Sequence, residues 1–406
     1  MATTEPSLTD RIDEAQQRIA DQFLQQCTHG AQTKRLPPQF AACGQFIACD
    51  AEKISQFGLH GISAALRVLG SCQSSECGAI VGRLVAYCEA IFGVNPALQI
   101  DPALDLTLHD KQNVIKLGEL LYGLSFVTPA QADRGPLTRH LAQQLNSSMR
   151  KDKGWGYFLT DTEPELLPTA YALRGLAWNG YDTSDPQRFL LEGLPRQKQS
   201  ARTSHADLMT AVACTYCLTF SKTIKEEQKS TLRIAFASEW RALEPLFGED
   251  IEQNLEYWHG EDTYYVRIPF QLYLLALAAE YSIWSFASFN AQRSLYSSVD
   301  ALRTGSFKYS YSGKCLSSRT NSIAFDVILL IRDRLRHRIL LSLANVADHV
   351  RVLAGSRAFR VTAALVAFSF VGWAIWDWSK TGKVGDLAPE LLAGILMFFL
   401  TLGRRH

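Results

Sequence analysis

The residue types able to hold a metal ion gather in one stretch of the chain: His205, Asp207, Cys214 and Cys217, with His259 further along. Imidazole, carboxylate and thiolate are the ligands a tetrahedral zinc site takes. Their spacing argues against one. His205 precedes Cys214 by nine residues, more than two turns along a helix, and CTYC inside a helix lacks the turn that a zinc knuckle needs. Cys214 and Cys217 therefore read as buried core thiols, and no metal is assigned. A second polar group, Glu256, His259, Glu261 and Asp262 in LEYWHGEDTYY, reads as an aromatic-rich loop able to line a cavity mouth or simply to face solvent. A third, Lys308, Tyr309, Tyr311, Lys314 and Arg319, is a basic, hydroxyl-rich segment suited to a phosphate or phospholipid head, with a solvated linker as the plain alternative. No Ser-His-Asp order, phosphate-binding loop or dinucleotide fingerprint stands out.

These residues must be positioned by helices, because almost every periodic stretch has helical spacing and almost nothing alternates as a strand. Residues 8–26 open as an amphipathic helix with Thr9 or Asp10 as its cap. Five later stretches are apolar on nearly every face: 57–69 (FGLHGISAALRVL), 114–126 (VIKLGELLYGLSF), 167–178 (LPTAYALRGLAW), 204–220 (SHADLMTAVACTYCLTF) and 266–281 (VRIPFQLYLLALAAEY). A helix apolar all round is buried all round. Their starts lie about forty to sixty residues apart, room for an inner helix, an outer helix and loops in each unit of a helical-hairpin array.

Composition sets the frame. Hydrophobic residues make up 47% and charged residues 20%, enough to build a large core, and a net charge of +1 gives no field that favours nucleic acid. Nine cysteines without framework spacing read as reduced thiols. The first residues, MATTEPSLTDRIDEAQQ, carry acids and no apolar run, which is not the pattern of a signal peptide.

At 153–182 the stretch KGWGYFLTDTEPELLPTAYALRGLAWNGYD resembles one repeat of the terpenoid cyclase and protein prenyltransferase superfamily. There an aromatic-glycine turn (here Gly154, Trp155, Gly156, Tyr157 and Phe158) precedes a loop with Glu-Pro and an inner helix opening Thr-Ala. Glycines permit the tight turn, aromatics wedge between hairpins, and small residues let inner helices approach. The resemblance implies an α/α toroid. His60 and Gly61 in FGLHGISAAL resemble the start of an inner helix in lanthipeptide-cyclase-like toroids. The catalytic pattern is absent. Class II cyclases of this superfamily carry DxDD before Thr-Ala, whereas Thr169 and Ala170 here follow Glu165, Leu166, Leu167 and Pro168, and no DDxxD occurs to hold magnesium. If the chain were nonetheless an enzyme of this type, its acids would be Asp161, Glu163 and Glu165.

The C-terminal part carries two apolar segments. The first, 361–379 (VTAALVAFSFVGWAIWDWS), would rise about 28 Å as a helix, close to a bilayer core, with Trp373, Trp376 and Trp378 at headgroup level. The second, 387–403, is shorter and carries Glu390, an acid that at membrane depth prefers a protein-lined or watery face. Arginines flank both segments, and positive flanks stay in the cytoplasm. Before them, 323–353 repeats apolar residues at threes and fours and carries Arg332, Arg334, Arg336, Arg338 and Arg351 on another face. That pattern suits either a stalk on an anionic leaflet or plain packing against the body.

The expected protein is all-α: an α/α toroid-like helical-hairpin repeat domain (1–315), a basic amphipathic connector (316–360) and a C-terminal two-helix transmembrane hairpin (361–403), with both chain ends cytoplasmic. Its expected function is that of a membrane-anchored, non-catalytic receptor and effector, a plan shared with small bacterial antiviral effectors. The alternative is a membrane-bound isoprenoid- or lipid-modifying enzyme. Expected ligand-binding residues are His60, Trp155, Tyr157, Tyr171, His205 and His259. Expected partners are the bilayer, further copies of the chain and an unidentified small molecule or protein. No cofactor and no nucleic acid are expected.

Overall fold

A computed structural model describes residues 8–32, 47–48, 59–98, 111–198, 205–243, 252–259, 262–281 and 316–336. The chain divides into two compact units, Met1–Arg332 and Asp333–His406. The described residues of the second are only 333–336. Segments 361–379 and 387–403, with Trp373, Trp376, Trp378 and Glu390, lie outside the described residues, as does 337–360. Among the described residues no helix is long and apolar enough to cross a membrane.

The first unit is predominantly helical. In chain order its elements are α1 (Leu8–Gln32), β1 (Ile47–Ala48), α2 (Leu59–Gly70), α3 (Ser75–Ile91), α4 (Val114–Leu124), α5 (Gly135–Ser148), α6 (Leu166–Trp178) and α7 (Ser184–Lys198). There follow α8 (His205–Thr219), α9 (Glu226–Leu243), β2 (Glu252–His259), β3 (Asp262–Pro269), α10 (Phe270–Glu280), β4 (Leu316–Ser317) and α11 (Ser318–Arg336), which runs past the end of the unit.

The helices alternate in kind. α2, α4, α6, α8 and α10 pack in a row, each on the next, and these are the five stretches whose apolar residues cover every face. All of α2 is buried, as is α6 from Leu167 to Ala177. The intervening helices lie against this row: α3 on α2, α5 on α4 and α3, α7 on α6 and α8, and α9 on α8. They bury one stripe only. α5 inserts Leu137, Leu141 and Leu145 while Arg139 and Gln143 face out, and α9 inserts Leu232, Phe236, Trp240 and Leu243. Spacing by threes and fours produces such a stripe because 3.6 residues make a turn.

Glycines set how closely the inner row packs. A Cβ on Gly123 of α4 would lie 2.6 Å from the Ser63 carbonyl oxygen of α2, and one on Gly118 would lie 2.5 Å from the Tyr171 carbonyl oxygen of α6. Gly175 of α6 faces the Gly118 carbonyl in return. Three consecutive inner helices thus meet backbone to backbone, with no room for a methyl group. α6 ends at Asn179 and Gly180, whose φ of 80° only glycine adopts readily. The Asn179 amide donates to the carbonyls of Leu121 (2.7 Å) and Gly175 (2.8 Å), joining the C-terminal ends of α4 and α6.

Two regions differ from the sequence-based expectation. Within LEYWHGEDTYY, residues 255–259 and 262–265 are strand rather than loop: β2 and β3 pair antiparallel, with His259 opposite Asp262 and Glu252 opposite Pro269. Consequently α10 starts at Phe270 rather than at 266. Tyr264, Tyr265, Val266 and Ile268 are aromatic or β-branched and fit a pleated ribbon, and Pro269, with no N–H, suits the step from strand into helix. The start of the expected connector belongs to the first unit. Ile323, Ala324, Phe325, Val327, Ile328 and Ile331 of α11 are buried, and Arg332 donates to Asp13 (3.1 Å) and Gln16 (2.9 Å) of α1. Of the two readings of this stretch, packing against the body describes it as far as Arg332.

Candidate functional site

The aromatic-glycine turn enters the structure as a splice between hairpins. Trp155 is fully buried; its indole N–H donates to the Leu145 carbonyl of α5 (2.8 Å), and its backbone N–H donates to Thr169 Oγ1 of α6 (2.9 Å). Thr169 donates back to the Trp155 carbonyl (3.2 Å), and that carbonyl also accepts from the Glu165 N–H (2.9 Å). The next residues tie the turn to α4: Val114 N–H donates to the Tyr157 carbonyl (2.8 Å) and Leu159 N–H to the Gln112 carbonyl (2.9 Å). Gly154 and Gly156 are crowded. A Cβ on Gly154 would come within 2.7 Å of Thr169 Oγ1, and one on Gly156 would strike Asp161.

Of the three acids, Asp161 is engaged in this turn. Its carboxylate accepts from the Phe158 N–H (2.8 Å), while Arg150 donates to the carbonyls of Asp161 and Leu159. Glu163 and Glu165 are exposed, and Glu165 precedes α6 without a side-chain capping bond.

The expected ligand residues that carry described contacts each meet partners of their own. His60 is buried in α2 and paired with Glu119 of α4. Tyr171 of α6 is buried with its hydroxyl 3.0 Å from that of Tyr273 in α10, and the Tyr273 ring packs on Tyr216 of α8. Trp155 serves the splice. Tyr157 lies at its exposed edge, its phenol pKa raised by partial burial and by the nearby Glu165. His205 begins α8 and His259 ends β2. Cys214 and Cys217 are buried in α8, where burial holds the Cys214 thiol well above its usual range. Among the described residues no group of His, Cys, Asp or Glu could hold a metal ion.

The structure assembles a different constellation. Arg67 of α2, Tyr122 of α4, Arg174 of α6 and Asp326 of α11 meet in the interior, where the arginines are each 6% exposed and the aspartate 8%. Arg67 Nε pairs with one carboxylate oxygen of Asp326. The other oxygen accepts from Arg174 Nη2 (2.9 Å) and from the Tyr122 hydroxyl (3.0 Å). Arg67 Nη1 also donates to Ser71 (2.6 Å), whereas Arg174 Nε is buried without a hydrogen-bond partner.

Aromatic rings wall the node. The Arg67 guanidinium lies 3.6 Å from the centre of the Phe126 ring and Arg174 lies 3.5 Å from that of Tyr122, contacts in which the ring face attracts the cation. Trp178 stacks edge-on against Tyr122 and tilted against Phe126. Burial alone would pull both guanidinium pKa values down. Both are nonetheless raised, at Arg67 by Asp326 together with Tyr122, and at Arg174 by Tyr122, Tyr216 and Asp326 together. Burial pushes the Tyr122 and Tyr216 phenols up.

No protein-family description, curated protein or solved structure matches the chain. Function is therefore argued from the site alone.

The node was legible in part. Arg67 and Arg174 are the lone charges in FGLHGISAALRVL and LPTAYALRGLAW, and Asp326 is the lone charge in SIAFDVILLI. A single charge in a helix buried on every face must find an opposite charge, because a buried ion without one is too costly to keep. That signal names the three residues without saying that they meet.

Proposed function

We propose that this chain is a membrane-anchored receptor. Its helical-hairpin body, of the toroid plan suggested by KGWGYF and the following inner helix, binds a ligand or partner protein. Segments 361–379 and 387–403 insert as two spans that oligomerise and perturb the membrane, a plan that suits antiviral defence in bacteria. The observation carrying this reading is the interior node of Arg67, Arg174 and Asp326. It supports the reading because it sets a buried charge cluster in the body and draws its carboxylate from α11, the helix that leads along the chain toward the apolar segments. A non-catalytic reading is supported by Asp161, whose carboxylate is committed to the turn, and by the exposure of Glu163 and Glu165.

The test is induced expression in bacteria with a membrane-potential dye, comparing the whole chain with one ending at Arg360. Depolarisation by the whole chain alone, with or without phage infection, is expected. A membrane that stays polarised under every trigger overturns the reading, and turnover of lipid by the purified protein, lost on replacing Asp161, Glu163 and Glu165, would establish the enzyme instead.

A further inference from the structure

The node holds two guanidinium groups and one carboxylate, so its formal charge is +1 in a place where each of the three residues is more than nine-tenths buried. Each guanidinium carries five N–H donors. Asp326 offers two oxygens: one is shared between Arg174 and Tyr122, and the other is paired in charge with Arg67 Nε but makes no hydrogen bond, as is also true of Arg67 Nε and Arg174 Nε. Positive charge is in excess of what one carboxylate neutralises, and this carboxylate leaves the Nε donor of each arginine without a hydrogen bond. A phosphate group fits this excess better: it brings a charge of about −1.5 to −2 and three acceptor oxygens, and planar guanidinium forks bind it in bidentate fashion.

We infer that Arg67 and Arg174 form a binding site for a small multivalent oxyanion of the phosphate class, that Asp326 occupies this site from within the chain, and that such an anion displaces it. The exchange has a structural consequence. Asp326 without the arginines would be a buried carboxylate facing an added anion, so α11 cannot stay docked when the anion is bound. Occupancy of the node and docking of 323–331 on the body are thus mutually exclusive. Because the node is closed to solvent while Asp326 fills it, the anion enters only when α11 lifts, and its apparent affinity is reduced by the small open fraction. The inference goes beyond the receptor reading and holds whether or not the C-terminal segments enter a membrane.

The test is hydrogen exchange on the full-length protein in detergent micelles, with inorganic pyrophosphate or with sodium chloride at matched ionic strength. Pyrophosphate should raise exchange across 318–332 while chloride does not, and Arg174→Gln should abolish the response. Asp326→Asn, which removes the internal competitor, should bind pyrophosphate about tenfold more tightly or better in calorimetry. If that variant does not fold in buffer alone, its recovery on refolding with pyrophosphate, and not with chloride, is the expected equivalent. Vesicles of phosphatidylglycerol form a parallel arm: a response to them alone assigns the anion to a lipid head, and a response to pyrophosphate assigns it to a soluble ligand. Unchanged exchange in 318–332 with pyrophosphate and with vesicles, or an equal rise with chloride, overturns the inference.

Discussion

The aromatic-glycine turn before α6 and the arginine-aspartate node are both polar structures set into an apolar helical body, and they are satisfied in opposite ways. In the turn, donors and acceptors match among partners no more than 14 residues apart: Thr169 answers both backbone groups of Trp155, the Leu145 carbonyl answers the indole, and Asp161 answers Phe158. At the node, positive charge exceeds what the one carboxylate supplies, Arg67 Nε, Arg174 Nε and Asp326 Oδ1 make no hydrogen bond, and the partners come from helices far apart in the chain. A matched set holds a fold in one state. An unmatched one leaves free energy that a second occupant can use, and the contrast separates a structural splice from a candidate switch.

The largest effect should come from breaking the node on one side. Asp326→Asn leaves two interior guanidinium groups without a counter-charge and should cost about 3–5 kcal/mol in urea denaturation. Replacing the set together, Arg67→Met with Arg174→Met and Asp326→Leu, should be near neutral or stabilising, since apolar groups of similar volume remove the desolvation cost as well as the attraction. A large loss in the triple variant would mean that the node is held for stability, and the contrast with the turn would fail.

Next is the packing that brings the node's helices together. Gly118→Ala or Gly123→Ala drives a methyl group into the backbone of a neighbouring inner helix and should cost about 1–3 kcal/mol, read as a lowered Tm. In the turn, Trp155→Phe keeps most of the buried ring but leaves the Leu145 carbonyl without its indole donor, an expected loss of about 1–3 kcal/mol with no change in anion response. Turn variants that altered that response would show the two regions to be coupled.

The smallest effect concerns Cys72, half-buried after α2, whose thiol is pushed up to about 11 mainly by burial and next by Cys77. It should react with iodoacetamide more slowly at pH 8 than an ordinary thiol of about 8.5, with the rate climbing as pH approaches 11. Because this folded-state pKa is raised, its contribution to stability is intact below the unfolded value and declines as pH rises toward 11.

Much of the helical framework was legible because it is local. The stretch LPTAYALRGLAW is apolar on every face and becomes the buried α6, while α5 and α9 show the single stripe of a covering helix. The hairpin of β2 and β3 was missed because LEYWHGEDTYYVRI mixes charges with aromatics and lacks a clean alternation, although Tyr264, Tyr265 and Val266 favour a strand. Among the expected ligand residues, His60 pairs with Glu119, Trp155 braces a turn, and Tyr171 meets Tyr273, partners that spacing along the chain does not name.

By itself the sequence determined that the body is built of helices and which stretches are apolar on nearly every face, and it carries Arg67, Arg174 and Asp326 as isolated charges in such stretches. Those properties depend on spacing within a few turns and on the cost of desolvating a charge. Only the tertiary structure decided that the two arginines share the Asp326 carboxylate. That outcome depends on the glycine contacts that bring α2, α4 and α6 backbone to backbone, and on a helix entering from 152 residues beyond Arg174. Spacing within one helix carries no information about which faces of distant helices will meet.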